Sequence, residues 1–136
     1  MLSNNQKSLK SSVTLKGVGL HNGINAELKI SPADENSGIN FCRVDLNKDN
    51  LISANYKNVV EPILYKKKKN QNDVTISTVE HLMAALCGLG IDNLLIDLNS
   101  EELPIMDGSA KNFVESIQNV GFKVSDQPIR IIKINK

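Results

Sequence analysis

The stretch Val74–Gly90, VTISTVEHLMAALCGLG, decides how the rest of this 136-residue chain is read. Val79, Leu82, Met83 and Leu86 recur at i, i+3, i+4 and i+7, the spacing of one apolar face on an amphipathic helix. Ser77 or Thr78 stands where an N-cap is expected, and Ser77 with Glu80 three residues later makes a capping-box pattern. Gly88 is placed to end the helix. Glu80 and His81 therefore fall in the first turn, where a helix end can face a cleft. They pair a potential general base with a potential metal ligand. The order is Glu-His, and the position four after His81 is Ala85. This is not the HExxH zinc pattern, which puts two histidines on one helical face. Further ligands have to come from elsewhere.

Working outward, the flanks alternate with a period of two, which reads as strands. Val13, Leu15 and Gly17 alternate with Thr14 and Lys16; after the Asn22-Gly23 hairpin signal, Ile24, Ala26, Leu28 and Ile30 line one face of a second strand. Ile39, Phe41 and Arg43 mark a third. Val59-Val60 and Ile63-Leu64 read as short strands around Pro62, and Lys66–Lys69 with Asn70–Asp73 as a solvated hairpin tip. Past the helix, Leu94, Ile96 and Leu98 form a strand that is expected to be central because Leu95 is apolar too. Asp107 or Ser109 caps a second helix with Phe113, Val114 and Ile117 inward, and Gly121 marks its end. Ser125–Pro128 reads as a linker and Ile129–Ile134 as a last strand. Strands followed by helix, strand, helix and a lone strand make an α+β fold: a two-layer sandwich with a mostly antiparallel sheet and two helices packed on one face.

Composition excludes several classes. A net charge of +1 signals neither nucleic acid nor an anionic membrane, and without Trp there is little material for base stacking. No apolar run approaches the roughly 20 residues that span a bilayer. The polar N-terminus is not a secretory signal. Cys42 and Cys87 stand far apart, read as small buried hydrophobes, and fit a reducing, cytoplasmic setting better than a disulfide framework.

Three blocks are unusual in combination: GVGLHNG (17–23), ISTVEHLMAALCGLGIDN (76–93) and PIMDGSAKNFV (104–114). In order and spacing they closely resemble the N-terminal half of the UDP-3-O-acyl-N-acetylglucosamine deacetylase family, zinc hydrolases of lipid A biosynthesis in Gram-negative bacteria. The resemblance covers nearly the whole chain. It implies a ribosomal protein S5 domain 2-like sandwich, with a flexible lead-in at 1–11, the deacetylase N-terminal domain at 12–126, and a linker and first strand of a second domain at 127–136. It matches His81 to a zinc ligand and Glu80 to the general base, and it puts His21 near the mouth of the site. Two more zinc ligands, a His and an Asp, are expected from a C-terminal domain that this chain does not contain. One departure is Tyr65 with Lys66–Lys69, where the family carries small polar or Cys residues.

The chemistry accounts for the residue types. Amide hydrolysis needs a strong nucleophile near neutral pH, which zinc supplies by acidifying water, and a carboxylate can take the proton. By residue type alone, Glu80 reads more often as a capping-box member than as a base, His81 as an ordinary surface or half-buried histidine, and His21 as a turn residue. Two functions of different classes remain: the N-terminal part of the zinc deacetylase, acting on UDP-3-O-acyl-N-acetylglucosamine and inactive without its second domain, or a stand-alone, non-catalytic binding module that keeps the fold.

Overall fold

Alternation in the sequence becomes a sheet with one wet face. The structure is a computed structural model and describes residues 4–48, 50–54, 67–69 and 74–129. Ala26, Leu28 and Ile30 of β3 (Asn25–Pro32) are buried, while Glu27 and Lys29 between them are exposed. β3 pairs antiparallel with β2 (Val13–Val18) on one side and β8 (Leu94–Leu98) on the other. β8 in turn pairs parallel with β4 (Ile39–Arg43), and β4 pairs antiparallel with β5 (Leu51–Ser53). The order is β2-β3-β8-β4-β5, so Leu94–Leu98 is central as expected. Leu94, Ile96 and Leu98 are fully buried, and each contributes roughly 1.5–3 kcal/mol. Leu95 is only half-buried, so the strand is central because both its edges are hydrogen-bonded, not because both faces are covered.

The dry face is covered by α1 (Glu80–Leu89) and α2 (Lys111–Val120), which pack on each other. Leu82, Ala85 and Leu86 of α1 and Phe113 and Ile117 of α2 join the strand side chains in one core. The α+β class, with two helices over a mostly antiparallel sheet, is as the sequence predicts. None of the described helices is long and apolar enough to cross a membrane.

Two small sheets complete the described residues. β6 (Lys67–Lys69) pairs with β7 (Thr75–Ser77). β1 (Asn5–Leu9) pairs antiparallel with β9 (Phe122–Pro128). With β6 this corrects three expectations: part of the 1–11 lead-in is a strand, Lys67–Lys69 is a strand and not part of a hairpin tip, and Ser125–Pro128 belongs to a strand as well. NQKSL looks frayed because its fixing contacts are distant in sequence. Leu9 is fully buried, the Ser8 hydroxyl donates to the Asn93 carbonyl at 2.7 Å, and the Lys7 N–H donates to Asp92 Oδ2 at 2.7 Å.

The helix ends also differ. α1 has Val79 as its N-cap with no side-chain cap bond, because the Thr78 hydroxyl is engaged by Glu102 and Ser77 is tied by its backbone to Glu101 and Leu103. The helix runs past Gly88 and ends at Gly90, whose φ of 70° is the left-handed cap. α2 is preceded by Ala110, with Asp107 and Ser109 bracing the turn before it; Gly121 ends it as read. Cys87 is exposed and Cys42 half-buried, so neither is the buried hydrophobe expected; both are free thiols. The readings for Val59-Val60, Ile63-Leu64, Tyr65, Lys66, Asn70–Asp73, Ile131 and Ile134 lie outside the described residues.

Candidate active site

The three sequence blocks meet at one end of the sheet, and the segment Glu101–Met106 sews them together. The Ile105 N–H donates to the Val18 carbonyl at 2.9 Å, at the end of β2. The Leu103 N–H donates to the Ser77 carbonyl at 3.1 Å, and the Ser77 N–H donates to the Glu101 carbonyl at 2.9 Å. The segment therefore lies between the turn carrying His21 and the residues that enter α1.

Glu102, between those anchors, is 2% exposed and is the hub of the site. Its Oε2 accepts from the Thr78 hydroxyl at 2.5 Å and from the ring Nδ1 of His21 at 2.7 Å. Its Oε1 accepts from the N–H groups of His21 and Asn22, each at 3.0 Å. Burial alone would push this carboxyl up. The bonds from the Thr78 hydroxyl, the Asn22 N–H and the ring and N–H of His21 outweigh it, so the group is held at about 2 against an ordinary 4.5. Gly19 makes the approach possible: a Cβ there would overlap Asn22 Oδ1 and Glu102 Oε1. The turn itself is pinned by the Gly19 N–H bonding the Ile24 carbonyl at 3.0 Å.

Thr78 has a φ of 60°, costly for a β-branched residue. Glu102 holds it there, and the chain then turns directly into α1 at Glu80. Glu80 and His81 are both half-buried in the first turn, as the sequence predicts. Among the described residues, Glu80 Oε2 is the buried side-chain oxygen or nitrogen with no hydrogen-bond partner. A buried carboxylate oxygen without a donor is costly, and such oxygens suit a proton, water or cation. Among the described residues no three His, Cys, Asp or Glu side chains converge to hold a metal ion.

His21 stands across Glu102 from Thr78, with 76% of its side chain exposed. Val18, Leu20 and Ile24 around it are exposed too, forming an apolar rim. The structure thus joins His21 to the Thr78–Glu80 segment through one carboxylate. Sequence reasoning missed that carboxylate: EELP reads as an acidic loop, and no local pattern separates buried Glu102 from exposed Glu101.

Comparison with known proteins agrees with the three blocks. Residues 6–136 match the family model for UDP-3-O-acyl N-acetylglycosamine deacetylase. The UDP-3-O-acyl-N-acetylglucosamine deacetylase of Colwellia psychrerythraea is 48% identical over 131 residues, covering 96% of this chain and 43% of the relative. Those of Actinobacillus succinogenes and Wigglesworthia glossinidia brevipalpis are each 44% identical, again covering 96% of this chain and 43% and 44% of the relatives. The chain therefore spans less than half the length of the curated relatives it matches. By this match along nearly all its residues, the chain belongs to the UDP-3-O-acyl N-acetylglycosamine deacetylase family.

Proposed function

We propose that this chain is the N-terminal part of a zinc-dependent deacetylase that hydrolyses the N-acetyl amide of UDP-3-O-acyl-N-acetylglucosamine in lipid A biosynthesis, in the cytoplasm of a Gram-negative cell. Glu80 acts as the general base and His81 as one zinc ligand. The remaining ligands come from a C-terminal domain outside this chain, and His21 lies beside the substrate. The observation that carries the reading is the buried, unpartnered Glu80 Oε2 immediately before His81 at the start of α1.

The one ligand proposed here, His81, suits zinc but does not make a site by itself. A neutral imidazole is a good ligand, and an unpaired carboxylate oxygen beside it is placed to accept a proton. Bound zinc would make a water molecule acidic near neutral pH. Glu80 takes the proton at its free oxygen. The exposed rim of Val18, Leu20 and Ile24 offers apolar surface to the acyl part of a substrate or to the second domain. The unpartnered Glu80 Oε2 beside His81 favours this reading over a stand-alone binding module.

The test fuses this chain to the part of the Colwellia psychrerythraea relative that follows the matched region. Equilibrium dialysis should find one zinc in the fusion and no stoichiometric zinc in the chain alone. Acetate should be released from UDP-3-O-acyl-N-acetylglucosamine by the fusion only. Glu80→Ala should abolish turnover with zinc retained, and His81→Ala should lose the zinc. Turnover that survives Glu80→Ala would sink the proposal.

A further inference from the structure

We propose that Glu102 is a positioning residue of this site: its Oε2 fixes the His21 ring with the proton on Nδ1 and Nε2 turned outward, and the same oxygen holds Thr78 in the left-handed conformation from which α1 starts. The inference rests on the deacetylase reading only for what the outward nitrogen meets.

The geometry makes the tautomer a matter of donor counting. An ionised carboxylate only accepts hydrogen bonds. His21 Nδ1 lies 2.7 Å from Glu102 Oε2, so Nδ1 has to carry the hydrogen. In the neutral ring that leaves Nε2 bare, as an acceptor. The ring is mostly exposed, so this acceptor is open to a ligand. A hydroxyl or an amide N–H of a nucleotide sugar is the chemistry it takes. A carboxylate that holds an imidazole by Nδ1 sets both its orientation and its proton, as in serine-protease triads.

The second half of the role concerns the helix start. Thr78 Oγ1 donates to the same oxygen at 2.5 Å, and that bond spans 24 residues of sequence. Without it, a β-branched residue at φ 60° has nothing in its side chain to offset the strain. Glu80 and His81 follow within three residues, so the acid that orients His21 also sets where their helix begins. A single carboxylate thereby couples the turn carrying His21 to the start of α1.

Glu102→Gln tests this with the shape of the side chain kept. Its carbonyl oxygen can stay on the N–H groups of His21 and Asn22. Its amide then takes the place of Oε2 and can only donate, so a neutral His21 has to offer a bare Nδ1 and carry its proton on Nε2. Long-range proton–nitrogen correlation on the 15N-labelled chain, at a pH where the ring is neutral, reads the tautomer; His81→Ala assigns the signals. The wild type should show a protonated Nδ1 and a bare Nε2, and Glu102→Gln the reverse. A wild-type ring protonated mainly on Nε2, or a variant with the wild-type tautomer, overturns the proposal. If the variant does not fold, the wild-type spectrum decides alone. In the fusion, Glu102→Gln should lower kcat about 10–100-fold with zinc content unchanged, the usual loss when an orienting partner is removed. An unchanged kcat would also overturn it. A fusion with no deacetylase activity at all would sink the deacetylase reading and leave the tautomer result standing.

Discussion

Each end of the sheet carries a buried polar network, and the two are built differently. At one end Gln6 Nε2 donates to Asn36 Oδ1 at 2.8 Å and to the Pro128 carbonyl at 3.0 Å. Gln6 Oε1 accepts from the Asn36 N–H and from Asn93 Nδ2, and Asn93 Oδ1 accepts from the Gly38 N–H. These groups are neutral and partnered, and they tie β1 and β9 to the entrance of β8. At the other end the hub is a charged carboxylate with five hydrogen-bond contacts. It holds a strained Thr78 and an exposed His21, and the helix just beyond begins with an unpaired Glu80 oxygen. The neutral network is partnered throughout and borders a cavity of about 650 Å³ lined by Gln6, Asn36 and Asn93. The charged one supports a strained Thr78 and stands beside an acceptor oxygen left open at Glu80, an arrangement suited to a ligand.

The largest test of that contrast is Glu80→Gln in the fused enzyme. Amide hydrolysis should fall about 10²–10⁴-fold, the usual contribution of a general base. The urea midpoint of the variant should not drop, because no hydrogen bond to Oε2 is lost. A stable but fully active variant would erase the distinction between the two ends.

Asn93→Ala breaks the opposite end. It leaves the Gly38 N–H without its acceptor and Gln6 Oε1 with only the Asn36 N–H, at a cost of about 1–3 kcal/mol by urea denaturation. Turnover per folded molecule should be unchanged. Loss of turnover without loss of stability would show that this network also serves the chemistry.

Gly19→Ala sharpens the comparison at the hub. The new methyl group overlaps Asn22 Oδ1 and Glu102 Oε1, so the turn has to move, at about 1–3 kcal/mol. The His21 N–H and ring signals should shift in the same spectrum, whereas Gly88→Ala, in open space on α1, should leave them in place.

The gentlest effect is in acid. Glu102 is depressed to about 2 in the folded chain from an ordinary 4.5, so its contribution is present above pH 4.5 and is lost as pH falls towards about 2. Wild-type stability should therefore decline more steeply across that window than that of Glu102→Gln, which has no carboxyl to titrate. Parallel decline in the two would show that other groups dominate acid unfolding.

The elements most legible in the sequence are those whose partners are local or periodic. Ala26, Leu28 and Ile30 announce a half-buried strand, and Leu94, Ile96 and Leu98 a core strand, because side-chain direction alternates along a chain whatever it packs on. Glu80 and His81 at a helix start were legible for the same reason, from the apolar face behind them. The cap was not, because Ser77 is tied through its backbone to Glu101 and Leu103, and the Thr78 hydroxyl is taken by Glu102. Asn5–Leu9 was illegible for a related reason: every contact that orders it lies more than 20 residues away.

By itself the sequence determined the α+β class, the positions of the main strands and helices, membership of the deacetylase family, and the adjacency of Glu80 and His81. Periodicity and motif spacing are properties of neighbouring residues, and they survive without the fold. Tertiary structure alone decided that Glu102 is buried and charged, that it joins His21 to Thr78, and that Glu80 keeps an oxygen unpaired. Those facts depend on hydrogen bonds between residues 24 and 81 positions apart. Such a bond exists only once packing has brought both ends together and excluded the water that would otherwise replace it.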